Sequence, residues 1–170
     1  DFLLITGKAQ QLFDSENMAE LAAFCTGSWA TSAETDAGSG SWEAAACRCL
    51  QDLEILEPDW LALLKQWEQA PELPSFAPQD PEKLERIAVY FAFRYLLKAV
   101  NDGDLLGRAQ FCALGVLVTD RLSRFVGLPE ALRLFSREIE HNGDNLDTLL
   151  EQFWQTEGLS LSALLAAFGG

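Results

Sequence analysis

The sequence predicts an all-α protein, a single-domain bundle of several helices. Apolar residues recur at three- and four-residue spacing along most of the chain, and the strict alternation that marks a strand is absent. The chain has 170 residues, of which 49% are hydrophobic and 22% charged, which is typical of one globular domain. We therefore expect residues 1–170 to form one helical domain that needs no disulfide or metal to fold.

The domain is predicted to have two helical parts, residues 1–70 and 82–170. In the first part, residues 16–25 carry an amphipathic helical pattern, and residues 26–41 are rich in Gly, Ser and Thr without a period, which indicates a loop. Four of the six prolines lie between residues 71 and 81 and predict a stiff connector. We expect this connector to separate two parts of one domain, because neither part alone would bury its aromatic residues well.

Two further helices are predicted before the connector. Ser41 can cap a helix that runs from residue 42 to about residue 55. Pro58 suits the first turn of the next helix, because its missing N–H has no partner there in any case. The apolar face of this second helix carries Trp60, Leu64 and Trp67.

The strongest helical signals follow the connector. Asp80, Pro81 and Glu82 form a helix start with a cap, a proline and an acidic first turn. Apolar residues then nearly encircle the axis over residues 82–101, which predicts a helix buried on most sides. The next helix, residues 104–126, is also largely apolar. We expect these two helices to lie at the centre of the bundle.

The remaining helices are separated by short turns. A Gly-Leu-Pro turn at residues 127–129 starts a helix through His141, and an Asn-Gly-Asp turn at residues 142–144 starts one over residues 145–156. Ser160 can cap a last short helix that ends at Phe168.

The charge of the chain excludes some partners. Twelve basic and 26 acidic residues give a formal net charge of −14, which repels nucleic acid and anionic membranes. A basic protein surface or a cationic small molecule remains compatible. No signal peptide is recognised, and the longest strongly apolar run, residues 111–118, is too short to span a bilayer.

The cysteines indicate a reducing compartment and no metal site. The chain has four cysteines and is large and apolar enough not to need disulfides, so we expect reduced thiols in the cytoplasm. Cys47 and Cys49 would lie about 200° apart around a helix axis, so they cannot bind one metal together. The spacing of Glu138 and His141 resembles a di-iron pair, but such a site needs that pair twice and the chain has one histidine.

Arg94 raises a separate question. It lies between Phe93 and Tyr95 in the helix expected to be most buried, where an unpaired guanidinium is costly. It therefore needs a carboxylate, and the acidic residues of nearby turns could supply one. Two interpretations stay open, a structural ion-pair network and a cleft for a ligand or partner. The carboxylate candidates are Asp102, Asp104, Glu138 and Glu140.

Two long segments carry a family resemblance. Residues 90–108 read YFAFRYLLKAVNDGDLLGR, and residues 135–141 read FSREIEH, followed by Asn145 and Leu146. Together they resemble the C-terminal helical half of the flagellin lysine-N-methylase family. The similarity extends over about residues 82–153 and is weaker over residues 42–70, where Leu53, Glu54, Ile55, Leu56 and Trp60 are compatible with it.

The resemblance implies an activity and its cofactors. The family transfers methyl groups to lysine side chains of flagellin, with S-adenosylmethionine and an iron–sulfur cluster in a cysteine-rich N-terminal segment. This chain has no closely spaced cysteine cluster, so we expect it to be a portion of a longer protein and to carry no cofactor itself.

The resemblance also implies where the chain meets its substrate. We expect a polar patch that faces the missing segment or the substrate lysine, with flagellin or another basic protein as partner. The alternative is a non-enzymatic acidic helical module that binds a basic protein. The residues of the predicted patch are Arg94, Asp102, Asp104, Arg108, Arg137, Glu138 and His141.

Overall fold

The computed structural model describes residues 2–17, 19–20, 23, 42–70 and 80–169. Every regular element within these ranges is helical, so the predicted all-α class is confirmed. The predicted loop 26–41, the cap Ser41, half of the 16–25 helix and most of the 71–81 connector lie outside the described residues.

The described α-helices are named in chain order. They are α1 (Phe2–Asp14), α2 (Trp42–Asp52), α3 (Pro58–Glu68), α4 (Pro81–Tyr95), α5 (Ala99–Asp102), α6 (Leu105–Val126), α7 (Leu128–Phe135), α8 (Gly143–Gln155) and α9 (Leu161–Gly169). Short 3₁₀ turns at Leu96–Lys98 and Glu157–Leu159 and a π-helical turn at Ser136–Glu140 join some of them. The sequence patterns did not predict α1.

Helix α6 is the centre of the bundle. Every residue from Gly107 to Ser123 is buried, and α6 packs against α1, α4, α7 and α8. Gly115 allows α4 to approach closely, because a Cβ there would lie 3.0 Å from the ring of Phe91. Burial over most of α6, from Gly107 to Ser123, agrees with its apolar sequence.

An aromatic cluster joins α4, α6 and α7. The ring of Phe91 in α4 lies 6.1 Å from that of Phe111 in α6 and 5.7 Å from that of Phe135 in α7, both edge-on. Tyr95 completes the cluster at 4.6 Å from Phe111. Edge-to-face pairs of this kind add to the stabilisation that burial of the rings provides.

The expectation that the helix of residues 82–101 is buried on most sides is wrong, because one of its sides is exposed. Leu84, Phe91 and Tyr95 of α4 are buried, but Phe93 is 79% exposed and Val100, in α5, is 86% exposed. Since α4 lies at the edge of the bundle and packs one face against α6, its opposite face points outward. The apolar residues on that face therefore remain at the surface.

The caps of the helices follow the sequence signals. The Asp80 side chain accepts a hydrogen bond from the backbone N–H of Lys83, and Pro81 occupies the first turn of α4. Gly103 adopts a left-handed conformation, with φ of 73°, and ends α5. This conformation is strained for residues with a Cβ, so glycine is favoured at the turn before α6.

No described helix is both long enough and apolar enough to cross a bilayer.

Candidate functional site

The segments of residues 90–108 and 135–141 meet at Glu140. Its Oε1 accepts a hydrogen bond of 3.0 Å from the hydroxyl of Tyr90 and one of 2.9 Å from the hydroxyl of Tyr95. The guanidinium Nε of Arg94 lies 3.5 Å from the same oxygen, and the guanidinium carbon lies 5.8 Å from the centre of each tyrosine ring. One carboxylate oxygen therefore joins α4 to the π-helical turn.

This environment changes the acidity of both tyrosines. Burial raises the pKa of Tyr95 well above its ordinary value, and the negative charge of Glu140 and the hydrogen bond to it raise that pKa further. The pKa of Tyr90 is raised by the same causes, with burial again the largest. Both hydroxyls therefore remain protonated hydrogen-bond donors at neutral pH.

Arg94 has the carboxylate partner that the sequence required, but it is not buried. Its side chain is 39% exposed, while the side chain of Glu140 is only 5% exposed. The expectation that Arg94 is a buried guanidinium is therefore wrong. The physical reason is the position of α4 at the edge of the bundle, where one face of the helix remains in contact with water.

A second junction is centred on Glu138, which is fully buried. Its carboxylate accepts hydrogen bonds of 2.9 Å from the backbone N–H of Leu56 and 2.7 Å from that of Glu57, just before α3. These two bonds compensate for the removal of the carboxylate from water. The carboxylate of Glu138 therefore has a structural role, and its burial places it out of reach of a substrate lysine.

Asn145 completes this junction. Its side-chain amide donates to the carbonyl oxygens of Glu54 and Glu138, at 2.8 Å each, and its Oδ1 accepts from the backbone N–H of Glu54 at 3.0 Å. The turn that carries Glu138 is π-helical, and the N–H of His141 bonds to the carbonyl of Ser136 five residues earlier. Residues 53–57, 136–140 and the start of α8 are thus held together.

Three more residues of the predicted patch lie around the start of α6. Arg108 donates from Nε and Nη2 to one carboxylate oxygen of Asp102, at 3.2 and 2.5 Å. Asp104 caps α6 by accepting from the N–H of Gly107 at 2.8 Å. The Oε1 of Gln10, from α1, accepts from the N–H groups of Leu105 and Leu106. All three first donors of α6 are therefore satisfied.

Arg137 and His141 lie at the surface. The side chain of Arg137 is 64% exposed, and its Nε is 3.7 Å from Oε1 of Glu57. Glu57 is bonded more closely by Arg133, which donates at 3.1 and 3.0 Å, and these hydrogen bonds lower the pKa of Glu57. Among the described residues, no side-chain hydrogen bond or ion pair joins His141 to another member of the predicted patch, and His141 is exposed.

The seven predicted patch residues thus do not form one cluster. Six of them divide into Arg94, paired with Glu140, the Asp102–Arg108 pair with Asp104 as a cap, and the Glu138 junction with Arg137 at its edge. The seventh, His141, is exposed and belongs to none of these groups. The sequence signals missed Gln10 and the hydroxyls of Tyr90 and Tyr95. A polar residue between apolar ones at helical spacing was the available signal for Gln10, but α1 itself was not predicted.

The described cysteines do not provide a cluster site. The thiol of Cys47 donates to the carbonyl of Leu64 at 3.4 Å, whereas that of Cys49 lies near Gln152 and Thr156. Burial raises the pKa of both, and it raises that of Cys112 to about 12. In the described part of the chain no three His, Cys, Asp or Glu residues are placed to hold a metal ion.

The outward face of α4 and α5 carries an exposed apolar strip, which we call the α4 stripe. Its members follow one another at spacings of three or four residues through α4, the 3₁₀ turn and α5. A row of large apolar side chains at the surface is typical of an interaction site. The stripe consists of Val89, Phe93, Leu97 and Val100, with Tyr90 at its edge.

Comparison with known proteins gave no match, whether to family models, to curated proteins or to solved structures.

Proposed function

We propose that this chain is the helical domain of a lysine-N-methylase-like protein and that it binds the protein substrate. In this proposal the methyl transfer takes place on residues that lie outside the chain. S-adenosylmethionine and an iron–sulfur cluster would then be bound by other segments of a longer cytoplasmic protein, because Cys47 and Cys49 face different partners here.

One observation carries the proposal. The stretches that resemble the family lie far apart in the sequence, yet they bond directly to one another through Glu140 with Tyr90 and Tyr95, and through Glu138 and Asn145 with residues 54–57. Because each segment supplies hydrogen-bond partners for the other, we expect a protein that resembles the family in one segment to resemble it in the other. This supports the view that the resemblance extends to a common folded unit.

Methyl transfer and binding to flagellin can be measured separately. The chain is incubated with flagellin and S-adenosylmethionine carrying a labelled methyl group, and its association with flagellin is measured by calorimetry. We expect binding without transfer of label to lysine. Transfer by this chain alone would show that the chemistry lies within it, and a lack of binding would exclude it as the substrate-binding domain. Flagellin with acetylated lysines is the control and should bind more weakly.

The second candidate is a non-enzymatic module that binds a basic protein. The exposed face of α8 favours it, because Asp144, Asp147 and Glu151 follow at three- and four-residue spacing and the whole chain carries a net charge of −14. A lysine-rich peptide should then bind without any preference for flagellin. Asp147→Asn should weaken that binding, whereas Asp59→Asn, at an exposed position in α3, should not.

A further inference from the structure

A cavity lies where the starts of α4 and α7 meet the C-terminal half of α6. Its volume is about 340 Å³, which is within the range of pockets that hold small ligands. Leu84 and Leu128 supply apolar walls, and Asp120 and Ser123 of α6 add polar ones. The described residues that line the cavity are all distinct from the predicted polar patch and from the α4 stripe.

Asp120 brings a nearly buried carboxylate to the wall of the cavity. Its side chain is only 5% exposed, and its Oδ2 accepts a hydrogen bond of 3.2 Å from Arg124. No described residue donates a hydrogen bond to its other oxygen, Oδ1, and that atom remains accessible to water. A carboxylate in this position is stabilised by a ligand that brings a hydrogen-bond donor.

The other polar groups around the cavity add more acceptors than donors. The hydroxyl of Ser123 donates to the backbone carbonyl of Asp120 at 2.7 Å, so it can only accept a hydrogen bond from a ligand. At the start of α4, the backbone N–H of Lys83 donates to the side chain of Asp80. At the start of α7, Pro129 has no N–H, which removes one donor of that helix end. Acceptors therefore outnumber donors among the side chains that line the cavity.

The charges that border the cavity pair with one another. The ammonium of Lys83 lies 2.7 Å from Asp80, and both side chains are exposed enough to lie at the rim. Arg124 pairs with Asp120 through one oxygen only. These two acidic and two basic groups sum to zero, so they exclude neither a cation nor an anion. The unbonded carboxylate oxygen and the net charge of −14 of the whole chain both favour a cation.

We propose that this cavity binds a primary amine on a short apolar stem, in its protonated form. The ammonium donates to Oδ1 of Asp120 and to the hydroxyl oxygen of Ser123, and the stem lies between Leu84 and Leu128. Asp120 then bridges two cations, with Arg124 on one oxygen and the ligand on the other. A free amine and a lysine side chain of another protein present the same chemistry. The inference does not rest on a role in methyl transfer.

Four small probes test the proposal by NMR titration of the full chain. Butylamine, butanol and butyrate share one stem and differ in their head group, and N-acetyl-lysine methylamide presents the amine as a lysine side chain would. We expect butylamine to shift the backbone amide signals of Leu84, Ser123 and Leu128, and butanol to bind at least about fivefold more weakly, because a charged donor forms the stronger hydrogen bond. Equal or tighter binding of butanol or butyrate, or no butylamine shifts at the cavity, would overturn the proposal. Binding of the lysine derivative as well supports a lysine side chain as the occupant, and binding of butylamine alone supports a free amine.

Variants of the chain locate the binding site. Asp120→Asn should weaken binding of butylamine about tenfold or more and remove its advantage over butanol. Asp59→Asn removes the same charge from an exposed position of α3, and an equal loss there would assign the binding to net charge and overturn the proposal. Leu128→Trp fills the cavity without changing a carboxylate and should abolish binding, whereas Leu97→Trp, at an exposed position, should not. Binding that survives Leu128→Trp would contradict the proposal. Circular dichroism confirms that each variant retains its helical content.

Discussion

The hydroxyl of Tyr95 donates a hydrogen bond of 2.9 Å to the carboxylate of Glu140, 45 residues further along the chain. The ring of Tyr95 packs edge-on against Phe111 in the core, so its hydroxyl reaches the carboxylate from the buried side, while Tyr90 reaches it from the surface. This contact connects α4 to the turn after α7. It is lost when the Tyr95 hydroxyl is deprotonated, so its contribution to stability depends on pH.

We expect Tyr95→Phe to destabilise the protein at neutral pH, by about 1 kcal/mol, the usual net value of one hydrogen bond. The pKa of Tyr95 is raised in the folded protein, so its contribution is complete below the ordinary tyrosine value, about 10, and is lost as the pH rises beyond it. The difference in unfolding free energy between wild type and variant should therefore shrink above pH ~10. Urea unfolding across pH 7–11 measures it, and a constant difference would contradict the prediction.

Replacing the buried carboxylate of Glu138 should cost more. In Glu138→Gln the amide oxygen can accept a hydrogen bond from only one of the backbone N–H groups of Leu56 and Glu57. The amide NH₂ group is itself a donor, so the other N–H group loses its acceptor. We expect a loss of about 2–3 kcal/mol in the free energy of unfolding. Glu151→Gln, at an exposed position of α8, is the control and should change stability by less than about 0.5 kcal/mol.

Two adjacent glutamines test the cap of α6. Gln10 is buried and accepts hydrogen bonds from Leu105 and Leu106, whereas Gln11 is exposed. We expect Gln10→Ala to cost about 1–2 kcal/mol, because two helix N–H groups lose their acceptor, and Gln11→Ala to have little effect. Hydrogen exchange of the Leu105 and Leu106 amides should accelerate only in the first variant. Equal exchange in both would show that Gln10 is not their acceptor in solution.

The ion pair of Asp102 and Arg108 should contribute to the loss of stability at acidic pH. Burial opposes ionisation of Asp102, but the hydrogen bonds from Arg108 and from the backbone outweigh it and lower its pKa. Its contribution is therefore present above the ordinary aspartate value, about 4, and is lost as the pH falls below it. Asp102→Asn should flatten the loss of stability between pH ~5 and ~2, measured by thermal unfolding. Asp147→Asn, at an exposed position, should leave that slope unchanged.

Phe91 and Phe93 should respond in opposite ways. Phe91 is fully buried among aromatic rings, so Phe91→Ala should cost about 3–5 kcal/mol. Phe93, two residues away, is 79% exposed, so Phe93→Ala should change stability by no more than about 0.5 kcal/mol. Chemical denaturation measures both. A large loss in Phe93→Ala would mean that the stripe is covered within the folded chain.

Local signals in the sequence were sufficient for most of the described helices after α1 and for several of their ends. The cap at Asp80 depends on an interaction within three residues, so the residue types alone indicated it. The largely apolar sequence of residues 104–126 also predicted the burial that the structure shows from Gly107 to Ser123. The start of α1 lacked a recognisable cap, and that helix was missed.

Tertiary structure alone decided which faces are buried and which polar residues meet. An apolar pattern on all sides of residues 82–101 does not specify which side packs on α6, because burial depends on where the helix lies in the bundle. The partners of Glu138, Glu140 and Gln10 are 45 to 96 residues away, and no local rule encodes such contacts. The sequence by itself therefore determined the helical class and the turns, whereas packing around α6 separated the predicted polar patch and exposed the α4 stripe.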